Sequence, residues 1–278
     1  MFVAEKLVYL ELQKTGGTHL RRLLEQYVGG QLIGKHNRMK LEYTGRFIMG
    51  SIRNPWDWYV SLWAYGVGGN GAIRSRTLRG IDFMYYHQML PKAMGKNWLT
   101  PGEFLTSLYH DAVKPLSRWQ NTYQDASSAD QFRDWLKMIL DSGRRFDIGE
   151  GYAFSPLSLS AGLMTYRYFR LFTLGDSIYR DRRLANPGLL RDYDSENNIS
   201  NGMVRMEELE EDFIRLVTKA GYILGDEQLA EIRRYAADKT NTSARRVAEY
   251  YYDDETIALV QTKERFLIKK YGYIAPEP

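Results

Sequence analysis

The stretch Leu7–Val28, LVYLELQKTGGTHLRRLLEQYV, reads as a short strand, a glycine turn and a helix. Val8 and Leu10 alternate with Tyr9 and Glu11 in a run apolar enough for a buried parallel strand. The turn is Gln13-Lys14-Thr15-Gly16-Gly17-Thr18. Beyond it Leu20, Leu23, Leu24, Tyr27 and Val28 recur at the spacing of one helical face, and Gly29-Gly30 ends the helix.

A strand that passes through glycines into a helix start is an anion site in outline. The first-turn amides have no partner within the helix, and the helix dipole favours negative charge there. Gly16 and Gly17 let the backbone approach a phosphate, Lys14 adds a cation, and Thr15 and Thr18 add hydroxyl donors. The lysine precedes the glycines and no Lys-Ser/Thr pair follows them, so the loop departs from the nucleoside-triphosphatase pattern GxxxxGK[ST]. The alternative for this loop alone is a plain glycine turn with a solvated lysine.

Outward from this unit, Gln31–His36 is a short apolar segment ending in Lys35 and His36, and a second strand follows over Arg46–Ile52. That strand leads into Arg53-Asn54-Pro55-Trp56-Asp57-Trp58-Tyr59-Val60-Ser61. Asn54 suits an N-cap and Pro55 the first helical position; Trp56, Tyr59, Val60 and Trp63 share one face, with Asp57 and Ser61 on a neighbouring one. Arg53 therefore stands at the carboxyl end of a strand, the edge at which open α/β sheets bind ligands. No aspartate or glutamate ends this strand to hold magnesium, so a metal-free site is expected.

The 278 residues are 44% hydrophobic and 26% charged, with a net charge of +4, which suits an ordinary globular chain with an anionic ligand and does not call for nucleic acid. Cysteine is absent, which excludes disulfides, thiolate metal sites and cysteine nucleophiles. Four histidines without HExxH or a close pair argue against zinc. The start, MFVAEKLVYLEL, carries charges within its apolar run and leads straight into the first strand, so neither signal peptide nor membrane span is read and cytoplasmic residence is the default.

Taken together, QKTGGTHL, the Lys35-His36 pair and RNPWDWYVS resemble the sulfotransferases that use 3′-phosphoadenosine 5′-phosphosulfate. In that family a PK[ST]GT[ST] loop cradles the 5′-phosphosulfate, and the arginine and serine of RNPxDxxxS hold the 3′-phosphate. Met203–Phe213, MVRMEELEEDF, is similar to the family's late strand and helix, and the segment from Asn241 through Tyr250–Glu255 to Tyr273 is similar to the close of its bacterial and glycan-modifying members. The resemblance spans roughly residues 5–65 and 200–274; about 66–200 is a mostly helical, unmatched region on the acceptor side. It implies one α/β domain over 1–278, with a mostly parallel central sheet flanked by helices in a P-loop-like sulfotransferase architecture.

The resemblance also implies roles. Lys14 would meet the bridging oxygen, with Thr15, Gly16, Gly17 and Thr18 cradling the phosphosulfate and Arg53 and Ser61 holding the 3′-phosphate. His19 stands where the family often stacks an aromatic on adenine. Arg245 and Arg246 would add a 3′-phosphate contact, although Val247 replaces the glycine of the family's Arg-Lys-Gly. His36 is the candidate base, with Lys35 assisting or solvated, and Glu11 or Glu42 the carboxylate alternatives; His87 and His110 read as structural. The implied cosubstrate is 3′-phosphoadenosine 5′-phosphosulfate, with 3′,5′-adenosine bisphosphate as product and no metal. The implied acceptor is a small molecule or glycan, leaning to carbohydrate over phenol. The competing classes are a P-loop kinase or nucleoside triphosphatase, and a non-catalytic nucleotide binder.

Overall fold

The computed structural model describes residues 1–82, 101–235 and 245–277. Its sheet has five strands: β1 (Phe2–Val3), β2 (Leu7–Leu10), β3 (Gln31–Leu32), β4 (Phe47–Ile52) and β5 (Gly202–Arg205). They lie in the order β3-β1-β2-β4-β5. β2, β4 and β5 are parallel, with Leu7 against Phe47 and Ile52 against Arg205. β1 is antiparallel to both β2 and β3, so the sheet is mixed, and the expected parallel character belongs to β2, β4 and β5 only. The cause is a tight turn after Val3, closed by the Ala4 amide donating to the Leu7 carbonyl at 2.8 Å. It makes a hairpin of a segment that reads as a lead-in to β2.

Side chains alternate across the strands and divide the core in two. Leu7, Tyr9, Met49 and Val204 pack with Leu20, Leu23 and Leu24 of α1 (Gly17–Tyr27) on one face. Each of those buried leucines stabilises the fold by roughly 2 kcal/mol. The helix Leu209–Lys219, which follows β5, lies on the same face through Leu209, Phe213, Leu216 and Val217. Val8, Leu10, Ile48 and Ile52 face the other way, against α2 (Pro55–Val67), the helical middle and the C-terminal helices. The chain is therefore α/β with helices on both faces.

The Asn54 side chain caps α2 by accepting from the Trp56 amide at 3.0 Å, with Pro55 first in the helix as expected. The expected single apolar face is too narrow, because Trp58 and Leu62 are buried along with Trp56, Tyr59, Val60 and Trp63. The sheet lies on one side and the helical middle on the other, so α2 is enclosed. Gly66 lies inside α2, which runs to Val67. Between 66 and 200 the described residues form helices, among them Ala129–Leu140 and α3 (Leu163–Phe172), the second buried along nearly its whole length. His110 stacks on Phe146 with ring centroids 4.1 Å apart, a structural placement. His87 and the Asn241-Thr242-Ser243 segment lie outside the described residues.

Near the C-terminus Asp253 forms a capping box with Thr256 at the head of Asp254–Lys263. The chain then breaks at Glu264 before Arg265–Tyr271. Glu264 is wholly buried with its carboxylate. It accepts from the Tyr59 hydroxyl, from the Met164 and Thr165 amides at 3.1 and 2.9 Å, and from the Thr165 hydroxyl at 2.6 Å. One side chain thus caps α3 and ties it to α2. Glu264→Ala strands four buried donors and is expected to lower unfolding free energy by on the order of 3 kcal/mol. Urea unfolding checks this; an unchanged midpoint would refute the cap.

Candidate anion-binding site

The loop between β2 and α1 is held from behind by its own carbonyls. The Glu11 carbonyl is bonded to His36 Nδ1 at 3.1 Å, and the Leu12 carbonyl accepts from Thr15 Oγ1 at 2.6 Å. The Gln13 carbonyl accepts from Trp58 Nε1 at 2.6 Å and the Lys14 carbonyl from Arg53 Nη1 at 3.1 Å. Four consecutive carbonyls are engaged by side chains from the His36 loop, the turn itself, α2 and the end of β4. With these carbonyls engaged within the protein, the loop is held in place at the start of α1, where unpaired first-turn amides can receive an anion. Lys14 has φ 65° and Gly16, the residue before α1, has φ 78°. The positive φ at Gly16 favours glycine there, and a Cβ would also stand 2.6 Å from Met206 Sδ, a flexible side chain that would have to shift.

Three cations meet at this loop. Arg53 Nε donates to Asp57 Oδ2 at 2.6 Å, and Arg245 Nη1 reaches Asp57 Oδ1, also at 2.6 Å. Burial would raise the Asp57 carboxyl, but the two guanidiniums outweigh it and hold it below the usual carboxylate range. Lys14 Nζ lies 4.1 Å from the Tyr65 ring centroid. Burial, with Arg53 and Arg245 beside it, pushes Lys14 down to about 8. Glu207, whose Oε1 accepts from the Asn54 amide at 2.6 Å, adds a second carboxylate near Arg53. Within this cluster Lys14, Arg53 and Arg245 outnumber the carboxylates of Asp57 and Glu207.

Several expected ligands are placed differently. Thr15, read as a hydroxyl donor to a phosphate, turns inward: it is fully buried and its Oγ1 lies 2.6 Å from Ser51 Oγ, which in turn meets the Tyr9 hydroxyl at 2.8 Å. Thr15 therefore braces the loop against β4, because the apolar face between Tyr9 and Met49 leaves its hydroxyl only local partners. Thr18 is exposed at the start of α1. Ser61 is buried in α2, and the α2 side chain that bonds Arg53 is Asp57, one turn nearer to it. Arg246 is separated from Arg245: its guanidinium covers the Tyr250 ring at 4.2 Å. His19 Nε2 lies 3.2 Å from Glu210 Oε1, which ties α1 to the helix after β5.

His36 adopts φ 55° and is half-buried, while Lys35 is exposed. A carbonyl can only accept, so Nδ1 carries the proton toward Glu11 and Nε2 of the neutral ring keeps its lone pair. Burial pushes His36 below its ordinary value, which leaves it uncharged at neutral pH. Of the carboxylate alternatives, Glu42 is exposed near Lys40, whereas Glu11 is buried with its carboxylate against Gly17 and 3.7 Å from Arg21 Nε. Among the described residues no group of three or more histidines, aspartates or glutamates could hold a metal ion, and no helix is long and apolar enough to cross a membrane. Trp58, which bonds the Gln13 carbonyl, Tyr65, which faces Lys14, and Arg167, whose guanidinium lies 5.5 Å from the Trp58 ring, join the surroundings of the loop without a sequence signal tying them to it. Compared with known proteins, the chain matches no family model, no curated protein and no solved structure.

Proposed function

We propose that this protein transfers a sulfuryl group from 3′-phosphoadenosine 5′-phosphosulfate to an acceptor hydroxyl, on a P-loop-like sulfotransferase architecture. The observation that carries this reading is the β2–α1 loop, with four carbonyls tied back and Lys14, Arg53 and Arg245 gathered beside it. Such a cradle suits a ligand with two phosphate positions. The loop amides and Lys14 would hold the 5′ end, and Arg53 with Arg245 the 3′-phosphate, since a guanidinium grips phosphate in a fork. When bound, the nucleotide supplies an activated sulfuryl group. Lys14 then holds positive charge where negative charge builds on the leaving phosphate oxygen. His36 Nε2 takes the proton of the acceptor hydroxyl while Nδ1–H stays on the Glu11 carbonyl. The Lys35-His36 element leans the acceptor toward carbohydrate over phenol.

Calorimetric titration tests the reading. The protein is expected to bind 3′,5′-adenosine bisphosphate at micromolar concentration or tighter, and 5′-AMP or ATP-magnesium at least tenfold more weakly, about 1.4 kcal/mol. Equal affinity for all three would overturn it and favour a general nucleotide site.

A further inference from the structure

Tyr65 stands near the carboxyl end of α2, and its ring centroid lies 4.1 Å from Lys14 Nζ. Among the described residues that ammonium has no carboxylate or hydrogen-bonding partner. The acids of the cluster are engaged elsewhere, Asp57 by Arg53 and Arg245 and Glu207 by the Asn54 amide. The aromatic ring is what the lysine head rests on. A second glycine turn seats that ring, Gly68-Gly69-Asn70-Gly71, between α2 and the helix Ala72–Thr77. The Asn70 amide donates to the Tyr65 carbonyl at 3.2 Å, and the Asn70 side chain to the Gly68 carbonyl at 2.7 Å. Gly71 has φ 93°, and a Cβ there would stand 3.1 and 3.3 Å from Cδ1 and Cε1 of the Tyr65 ring. Glycine thus lets the turn close on the ring. Tyr65 stays 43% exposed, outside the tight core that holds Trp58, Tyr59 and Trp63 of the same helix.

We propose that Tyr65 is the positioning residue of Lys14: its ring face holds the ammonium charged and beside the loop while leaving the ammonium's hydrogen bonds for an anionic ligand. This rests on the reading of Lys14 given above. A ring attracts a cation through its quadrupole, without the strong charge-assisted bond that a carboxylate would form. A carboxylate in its place would compete with an incoming phosphate; the ring does not. Three influences oppose the charge on Lys14: burial, Arg53 at the end of β4, and Arg245 from the C-terminal segment. Tyr65 acts against all three.

The test is an NMR titration of lysine side chains in the full chain without nucleotide or acceptor, with the Lys14 signal assigned by its absence in Lys14→Met. Tyr65→Leu is expected to lower the Lys14 midpoint by about half a pH unit, and Tyr65→Phe, which keeps the ring face, to leave it within about 0.2 unit. The ring current should shift the Lys14 ε-methylene protons upfield in the wild type and in Tyr65→Phe, and that shift should vanish in Tyr65→Leu. A ring that merely covered the lysine would act in the opposite sense, because its removal admits water and raises the midpoint. A raised or unchanged midpoint in Tyr65→Leu, or an equal fall in Tyr65→Phe, overturns the proposal. Should Tyr65→Leu fail to fold, Tyr65→Met decides by the same two readouts. Bisphosphate binding is measured separately, so loss of the nucleotide reading and loss of this inference are distinguishable.

Discussion

Lys14→Met is expected to reduce turnover of 3′-phosphoadenosine 5′-phosphosulfate by about 100- to 1,000-fold while affinity for the bisphosphate product falls by no more than roughly tenfold. The asymmetry comes from where charge develops. On the proposed reading, bound product would keep the loop amides, Arg53 and Arg245 as partners, whereas the leaving oxygen would acquire its charge only as transfer proceeds, with Lys14 as its cation. The methionine keeps the apolar stem that lies by Tyr65, so the change removes charge more than packing. A second readout comes from pH. Lys14 is pushed down to about 8, so it is charged below that value and loses its proton above it. Turnover per encounter is therefore expected to fall as pH rises through about 8, and the bound nucleotide's negative charge should move that limb upward in kcat. On the acid side, activity should rise as His36 loses its proton below its ordinary value. An alkaline limb that persists in Lys14→Met belongs to another group and would remove Lys14 from the mechanism.

Arg53→Gln is expected to weaken binding of 3′,5′-adenosine bisphosphate by about 100-fold while 5′-AMP affinity changes by less than about threefold. Arg53 binds Asp57 through Nε and the Lys14 carbonyl through Nη1, so it supports the loop as well as offering charge to a ligand. Arg53→Lys should not restore binding, because an ammonium cannot span both partners. The two C-terminal arginines give an internal control. Arg245 shares Asp57, so Arg245→Ala is expected to weaken the bisphosphate as well. Arg246 lies over Tyr250 and its loss should leave affinity intact. Calorimetry on the four variants settles the assignment; equal effects at Arg245 and Arg246 would mean that charge alone, without position, matters.

Much of this was legible locally. The apolar run of β2, the glycine turn and the leucine face of α1 are separated by a few residues, so periodicity and turn chemistry report them directly. The same holds for Asn54 and Pro55 at the head of α2. Legibility ended where a side chain's partner lies far along the chain. Thr15 offers a hydroxyl in the sequence, but the Tyr9–Ser51 pair across the sheet turns it inward. The two residues of β1 carry no periodicity, and only its pairing with β2 and β3 reveals it.

The sequence by itself therefore determined an α/β chain with a glycine-turned loop at a strand end and a cation at Lys14 and at Arg53, since each depends on neighbours within one turn or one strand. Only the tertiary structure decided that Arg245 and not Arg246 joins them, and that Trp58 and His36 hold the loop's carbonyls. Those are contacts between elements from distant parts of the chain, and the packing of helices on the sheet sets them.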